Sequence, residues 1–185
     1  MFERDLPGQN SSGYNDAAVS ALPLEMADAM NGSWGFNFVD DGFKTPRQLI
    51  ATLAGAAGRG ANFLLNTGPM PDGRLQPENV AALRQVGDWL RVNGESIYDT
   101  RPGPVAPQPW GVTTRRGQRI YVHLLEDPGA RLTLPIAGVH SARRLDGGRA
   151  VPFERTRGGV DLRDLAWKKD AADQVVVLEL AAKPK

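Results

Sequence analysis

No cysteine occurs among the 185 residues, so neither a disulfide framework nor thiolate metal ligation is open to this chain. Histidine is nearly as scarce. His123 and His140 are the two imidazoles, too few for a zinc site to be expected. Uninterrupted apolar runs stop at a few residues, far short of the roughly 20 that cross a bilayer. No charged n-region with an apolar h-region opens the chain, so it shows no secretory signal, and Met1 heads residues that read as mid-domain sequence. Gly55, Gly58 and Gly60 lack the spacing and the lysine of a phosphate loop. Asp40-Asp41-Gly42 lacks the alternating oxygen ligands of a calcium loop. Acid–base chemistry therefore rests on carboxylates.

Against these absences, 41% of residues are hydrophobic and 23% charged, an ordinary globular balance with material for one domain or two small ones. The net charge of +1 hides an asymmetry: residues 1–100 carry −5 and residues 101–185 carry +6. Two segments of opposite balance suggest two domains with complementary faces. The basic segment has its arginines dispersed along alternating stretches and carries no nucleic-acid-binding motif, so a solvated surface is expected there and no nucleic-acid partner.

Thr100-Arg-Pro-Gly-Pro-Val-Ala-Pro-Gln-Pro109 marks the boundary, since its four prolines fit neither helix nor central strand. Before it, Thr45 is a good N-cap with Pro46 at the first helical position. Leu49, Ile50, Leu53, Ala54 and Ala57 recur at helical spacing, and Gly58 is the expected terminator. A second helix starts at Pro77, with Val80, Leu83, Val86 and Leu90 as its apolar stripe, Trp89 broadening it for packing, and Gly94 at its end. Each helix follows a short apolar run, Ser33-Trp-Gly-Phe-Asn-Phe38 and Phe63-Leu64-Leu65, the latter ending in Asn66. Pro23 to Met30 fits either a helical turn or a short strand, and the Gly/Asn-rich stretch after Asp5 reads as an exposed loop.

Beyond the linker, Ile120, Val122 and Leu124 alternate with Tyr121 and His123. Asp127-Pro128-Gly129 predicts a turn answered by Leu132, Leu134 and Ile136, which together read as a hairpin. Asp146-Gly147-Gly148 predicts another, and Val175 to Leu180 a last apolar strand. The fold class expected is α/β followed by all-β: the last two strand–helix units of a (β/α) barrel over residues 1–102, then a small antiparallel β-sandwich over 103–185.

Four places could carry chemistry. Glu3 and Asp5 flank Arg4 beside Phe2, where an aromatic neighbour can raise a carboxyl's pKa and suit it to general-acid work, or where the charges simply form a surface cluster. Glu25 sits between Leu24 and Met26, either exposed on one edge or buried with a partner. Trp34 offers a flat apolar face to a sugar, or core packing. Asn66, at a strand's C-terminal end, can bind a ligand or stabilise the next turn. With both histidines in the basic segment, no Ser/His/Asp arrangement is expected.

In order and spacing, Phe2-Glu-Arg-Asp-Leu-Pro-Gly8, Leu22-Pro-Leu-Glu25, Ser33-Trp-Gly-Phe36, Asn62-Phe-Leu-Leu-Asn-Thr-Gly-Pro69, Asp72-Gly73, Gly87-Asp-Trp-Leu90 and Asn93-Gly-Glu-Ser-Ile-Tyr98 resemble the α-L-fucosidases of glycoside hydrolase family 29. The resemblance covers about the first hundred residues tightly; the remainder matches the family's C-terminal β-sandwich more loosely. It implies a retaining hydrolase acting on terminal α-L-fucose of glycans or glycoconjugates, with no cofactor, no metal and no membrane partner. Two carboxyl groups would do the work. The family's nucleophile, an aspartate, would lie upstream of every residue here. The resemblance makes Glu3 the general acid/base candidate with Glu25 as runner-up, and matches Trp34 to an aromatic near the fucose methyl group. Asn66 and Glu95 match motif positions with structural roles. It implies a segment inactive by itself; a non-catalytic carbohydrate-binding module and a structural remnant are the other readings. Family members usually work in lysosomal, periplasmic or extracellular settings.

Overall fold

The computed structural model describes residues 2–3, by backbone, and 24–181. The Gly/Asn-rich loop after Asp5 and the motif residues Arg4 to Gly8, Leu22 and Pro23 lie outside the described residues.

Three parallel strands come first: β1 (Phe2–Glu3), β2 (Leu24–Ala29) and β3 (Ala61–Asn66), in the order β1-β2-β3. Helix α1 (Pro46–Arg59) crosses from β2 to β3, and α2 (Pro77–Asn93) follows β3. The undecided Pro23–Met30 stretch is thus mostly strand. Ser33–Phe38, expected as a strand, is instead loop. The reason is local. Asp40 accepts hydrogen bonds from the amides of Gly32 and Gly42 and from that of Ser33, and Asn37 accepts one from Val39, so the chain folds around side-chain acceptors instead of extending into a ladder.

Thr45 caps α1 in a full capping box with Gln48, and Pro46 occupies the first turn. The helix runs past Gly58 and ends at Gly60, which takes the left-handed conformation at φ 75°. Gly58 serves packing instead: a Cβ there would lie 2.6 Å from Cβ of Val112. In α2 the buried face is Asn79, Ala82, Val86 and Asn93, whereas Leu83 of the expected stripe is 36% exposed. Met30, Leu49, Ile50, Ala82 and Val86 form one apolar cluster, joined by Leu65, Trp89 and Leu90.

A 3-10 turn (Gly94–Ser96) leads to two antiparallel sheets. The larger comprises β4 (Arg101–Pro102), β5 (Gly111–Arg116), β6 (Arg119–Leu124), β11 (Gln174–Leu180) and β8 (Val139–Arg144), in that order across the sheet. The smaller holds β7 (Arg131–Leu134), β10 (Gly159–Arg163) and β9 (Phe153–Thr156). Ile120, Val122 and Leu124 meet Leu132, Leu134, Val160, Leu162, Val176 and Leu178 in one core between them. The hairpin expected around Asp127-Pro128-Gly129 does not form. Both edges of β6 are already taken, by β5 and β11, so the turn carries the chain to the other sheet, where β7 pairs β10. Strand β4, inside the proline-rich linker, pairs β5 at the sheet edge, the position where proline is tolerated.

The opposite charges of the two segments do meet. Glu95 of the acidic segment receives Arg119 at 3.3 Å and Arg143 at 3.9 Å from the basic one, whereas the Arg47–Glu126 pair at 3.0 Å runs the other way, with its cation in the acidic segment. Trp89 packs both on the α1–α2 cluster and on Tyr121, Val175 and Val177 of the larger sheet, in keeping with its expected packing role.

Candidate functional site

Strands β2 and β3 finish level with one another, Ala29 opposite Asn66. The chain leaving β2 closes a compact loop: the Lys44 amide donates to Met30 O at 2.8 Å, and its ammonium reaches Ala29 O and Asp28 Oδ1, each at 2.5 Å. Within the loop, Asp40 gathers amides, and the Ser33 hydroxyl followed by the Gly42 and Gly32 amides holds its carboxyl below the usual aspartate range. The backbone between residues 31 and 44 is therefore tied at its base and across its middle. Its apolar side chains point outward: Trp34 is 52% exposed and Phe38 86%. Phe36 and Phe38 meet edge to face at 4.7 Å.

The chain leaving β3 locks onto this loop. Asn66 Nδ2 donates to the carbonyl of Trp34, while the Met30 amide donates to Asn66 O at 3.0 Å. Gly68 passes so close that any Cβ would run into the backbone of Gly35 and Phe36. Thr67, between them, accepts a hydrogen bond from the buried Asn79 at 2.9 Å.

Trp34, expected at the site, and Asn66, matched to a motif position with a structural role, come together at this C-terminal strand end. Glu3 and Glu25 come together elsewhere. They face each other in the β1–β2 register, with Asn62 on the far side of Glu25. Four residues separate that level from Ala29, about 13 Å at the usual strand rise. Glu25 is half-buried. A cavity of about 600 Å³ on the α1 side, lined by Met26, Asp28, Lys44, Thr52, Val112 and Glu126 among others, takes in none of Glu25, Trp34 and Asn66. Asn79 carries no signal in the sequence; Asp40 is weighed there only as a calcium-loop residue and Gly68 counts only as part of the Asn62–Pro69 motif. The Asn-X-X-Asp-X-Gly spacing of Asn37, Asp40 and Gly42 was the available signal for a side-chain-stabilised loop.

An Asp–His–Thr arrangement, unexpected from sequence, does exist. His123 lies between Asp173 and Thr114. All three are buried and Thr114 spends its proton on Ser96 O, so no nucleophile is presented to solvent.

The alpha-L-fucosidase family model matches residues 1–95. The chain belongs to the α-L-fucosidase family. Human plasma alpha-L-fucosidase is 33% identical over 104 residues, covering 52% of this chain and 22% of the relative. The structure of alpha-L-fucosidase isoenzyme 1 from Paenibacillus thiaminolyticus matches with a TM-score of 0.81 at 28% identity, over 97% of this chain and 44% of that one. A Thermotoga maritima alpha-fucosidase solved in complex with fucose matches at 0.72 and 25% identity, over 86% of this chain and 41% of that one. The chain thus spans about a fifth of the length of the plasma enzymes it matches. Its mixed α/β architecture, dominated by β-sheet, is shared with these fucosidase structures, and its relatives are glycoside hydrolases.

Proposed function

We propose that these residues are the C-terminal part of a retaining α-L-fucosidase that hydrolyses terminal α-L-fucose from glycans or glycoconjugates. In that reading β1, β2 and β3 with α1 and α2 are the last strands and helices of a (β/α) barrel, residues 1–102. The two antiparallel sheets are its accessory sandwich, residues 103–185. The observation that carries it is Trp34, half-exposed and held by Asn66 at the C-terminal strand ends, the end at which such barrels place their chemistry. An apolar aromatic face there suits the C–H face and methyl group of fucose.

Retention needs two carboxyl groups about 5 Å apart, one attacking the anomeric carbon and one protonating the leaving oxygen, then activating water. Glu3 is assigned the second role. It is the last residue of β1 and stands opposite Glu25 in the register; the resemblance of the Phe2–Gly8 motif to the family's acid/base region is what supports the choice. Glu25, at the same level of the sheet on β2, is the runner-up. The nucleophile is assigned to polypeptide outside these residues.

Two measurements test the reading. The 185-residue chain alone should not turn over an aryl α-L-fucoside; hydrolysis with retained anomeric configuration would overturn the assignment of the nucleophile. In the complete enzyme, Glu3→Ala should slow fucosides with poor leaving groups far more than activated ones, because only the former need protonation. Equal slowing of both would move the role to Glu25. The exposed Trp34 also favours a second reading, a non-catalytic carbohydrate-binding module. Calorimetric titration of the isolated chain with fucose gives saturable heat in that case, and a flat trace dismisses it.

A further inference from the structure

We infer that the turn after β3 is a positioning device that sets the pose of Trp34, with Asn79 of α2 as its buried anchor; its meaning for sugar binding rests on the function proposed above. Three contacts run in series. Asn79, 1% exposed, donates from Nδ2 to Thr67 Oγ1 at 2.9 Å. On one side of Thr67, Asn66 donates to the Trp34 carbonyl and takes the Met30 amide on its own carbonyl. On the other side, Gly68 lies against the backbone of Gly35 and Phe36.

Together these contacts brace the backbone on both sides of Trp34. Residues 34 and 35 cannot move outward without breaking the Asn66 bond, nor inward without striking Gly68. The indole has half its surface in solvent, so the backbone that carries it has a large share in setting its direction. Asn79 explains why the brace is stiff. A buried amide with a satisfied donor does not surrender its partner cheaply, and it sits in the first turn of a 17-residue helix. The Asn66–Thr67–Gly68 succession is therefore selected for a polar reach, a hydroxyl and an absent Cβ, in that order.

The device predicts that a residue far from any sugar, Asn79, changes sugar affinity, and that it does so through Trp34. The test uses the full 185-residue chain labelled with 5-fluorotryptophan, whose four ¹⁹F resonances come from Trp34, Trp89, Trp110 and Trp167, with Trp34→Phe assigning the first. Asn66→Asp, Thr67→Val, Gly68→Ala and Asn79→Leu should each shift or broaden the Trp34 resonance and leave the other three in place. Fucose affinity should fall by about three- to tenfold, the equivalent of one hydrogen bond. An unmoved Trp34 resonance in Asn66→Asp and Gly68→Ala overturns the device. A moved resonance with unchanged fucose affinity overturns its role in binding. If wild-type chain binds no fucose while the resonance still moves, the device stands and the reading as a free-standing carbohydrate-binding module fails. Should Gly68→Ala or Asn79→Leu not fold, all four resonances collapse together, and the isosteric, solvent-reachable Asn66→Asp decides.

Discussion

Nδ1 of His123 lies 2.6 Å from Oδ2 of Asp173, and solvent reaches neither side chain. On the other side of the ring, Nε2 is 3.2 Å from the Thr114 hydroxyl. That hydroxyl has one proton and donates it to Ser96 O at 2.6 Å, so it accepts from Nε2–H. The Asp173 carboxylate is the partner of the other ring nitrogen, Nδ1. The network thus ties β6 to the residues leading into β11, and through Ser96 to the 3-10 turn after α2. Asp173→Ala should cost about 3 kcal/mol, because it strands a buried polar partner. His123→Phe with Asp173→Leu should cost clearly less than the two single changes added together. Urea unfolding reads the cycle, and strict additivity would show that the pair is not coupled.

Arg47 makes a second tie. Its guanidinium donates to Lys169 O at 2.6 Å, to Leu125 O at 3.2 Å and to Glu126 at 3.0 Å. Two of the three acceptors are backbone carbonyls, so charge alone does not describe the contact. Arg47→Ala should cost about 1–2 kcal/mol. Arg47→Lys should recover less than half of that, since an ammonium cannot span three acceptors with a planar fork. The check is the urea midpoint at unchanged m-value; full recovery by lysine would reduce the contact to a simple ion pair.

How legible this was in the sequence depended on whether a signal was local. Thr45-Pro46 and Pro77 announced both helix starts because the signals are local: a capping box within four residues for α1 and, for α2, which has no side-chain cap, a proline in the first turn. The β3 run with Asn66 at its end was equally local. Ser33–Phe38 misled because aromatic residues favour strands, yet Asp40, two positions past Phe38, gathers the amides of Gly32, Ser33 and Gly42 and folds the stretch into a loop. Gly58 misled because glycine both ends helices and allows close packing, and only the distant Val112 decides between them. The Leu132–Ile136 stretch was read as pairing its sequence neighbour β6, which the late strand β11 already occupies. Trp34 was marked as a site residue and Asn66 as a motif position with a structural role, but their hydrogen bond spans 32 positions and has no short-range signature. Neither has the buried His123–Asp173 contact, across 50 positions.

Acid should act on the smaller sheet through Asp161. The Arg131 guanidinium, then the Thr133 hydroxyl, hold its carboxyl below the ordinary aspartate value of 3.8. A group whose folded pKa is depressed contributes stability that is complete above its unfolded pKa and is lost as pH falls through the folded one. Wild type should therefore exceed Asp161→Asn in melting temperature by a constant margin from about pH 7 down to pH 5, a margin that shrinks below about pH 4. A margin that stays level down to pH 2 would contradict the assignment.

Glycines at two helix positions should respond to alanine with opposite signs. Gly87 lies inside α2 with nothing within 4 Å of the place its Cβ would take. Alanine there removes the entropic cost of a helical glycine and should stabilise by about 0.5–1 kcal/mol. Gly58 lies inside α1, where an added Cβ would meet Val112 Cβ at 2.6 Å and Cγ2 at 2.7 Å. The gain in helix propensity is the same, but α1 must move off β5 to make room, and overpacking of this kind costs about 1–3 kcal/mol. Gly58→Ala should be net destabilising, and Val112→Gly should relieve it in the double variant by removing the atoms struck. Thermal melts of the four proteins decide the matter: stabilisation by Gly58→Ala alone would mean that α1 does not rest on β5 as closely as the structure has it.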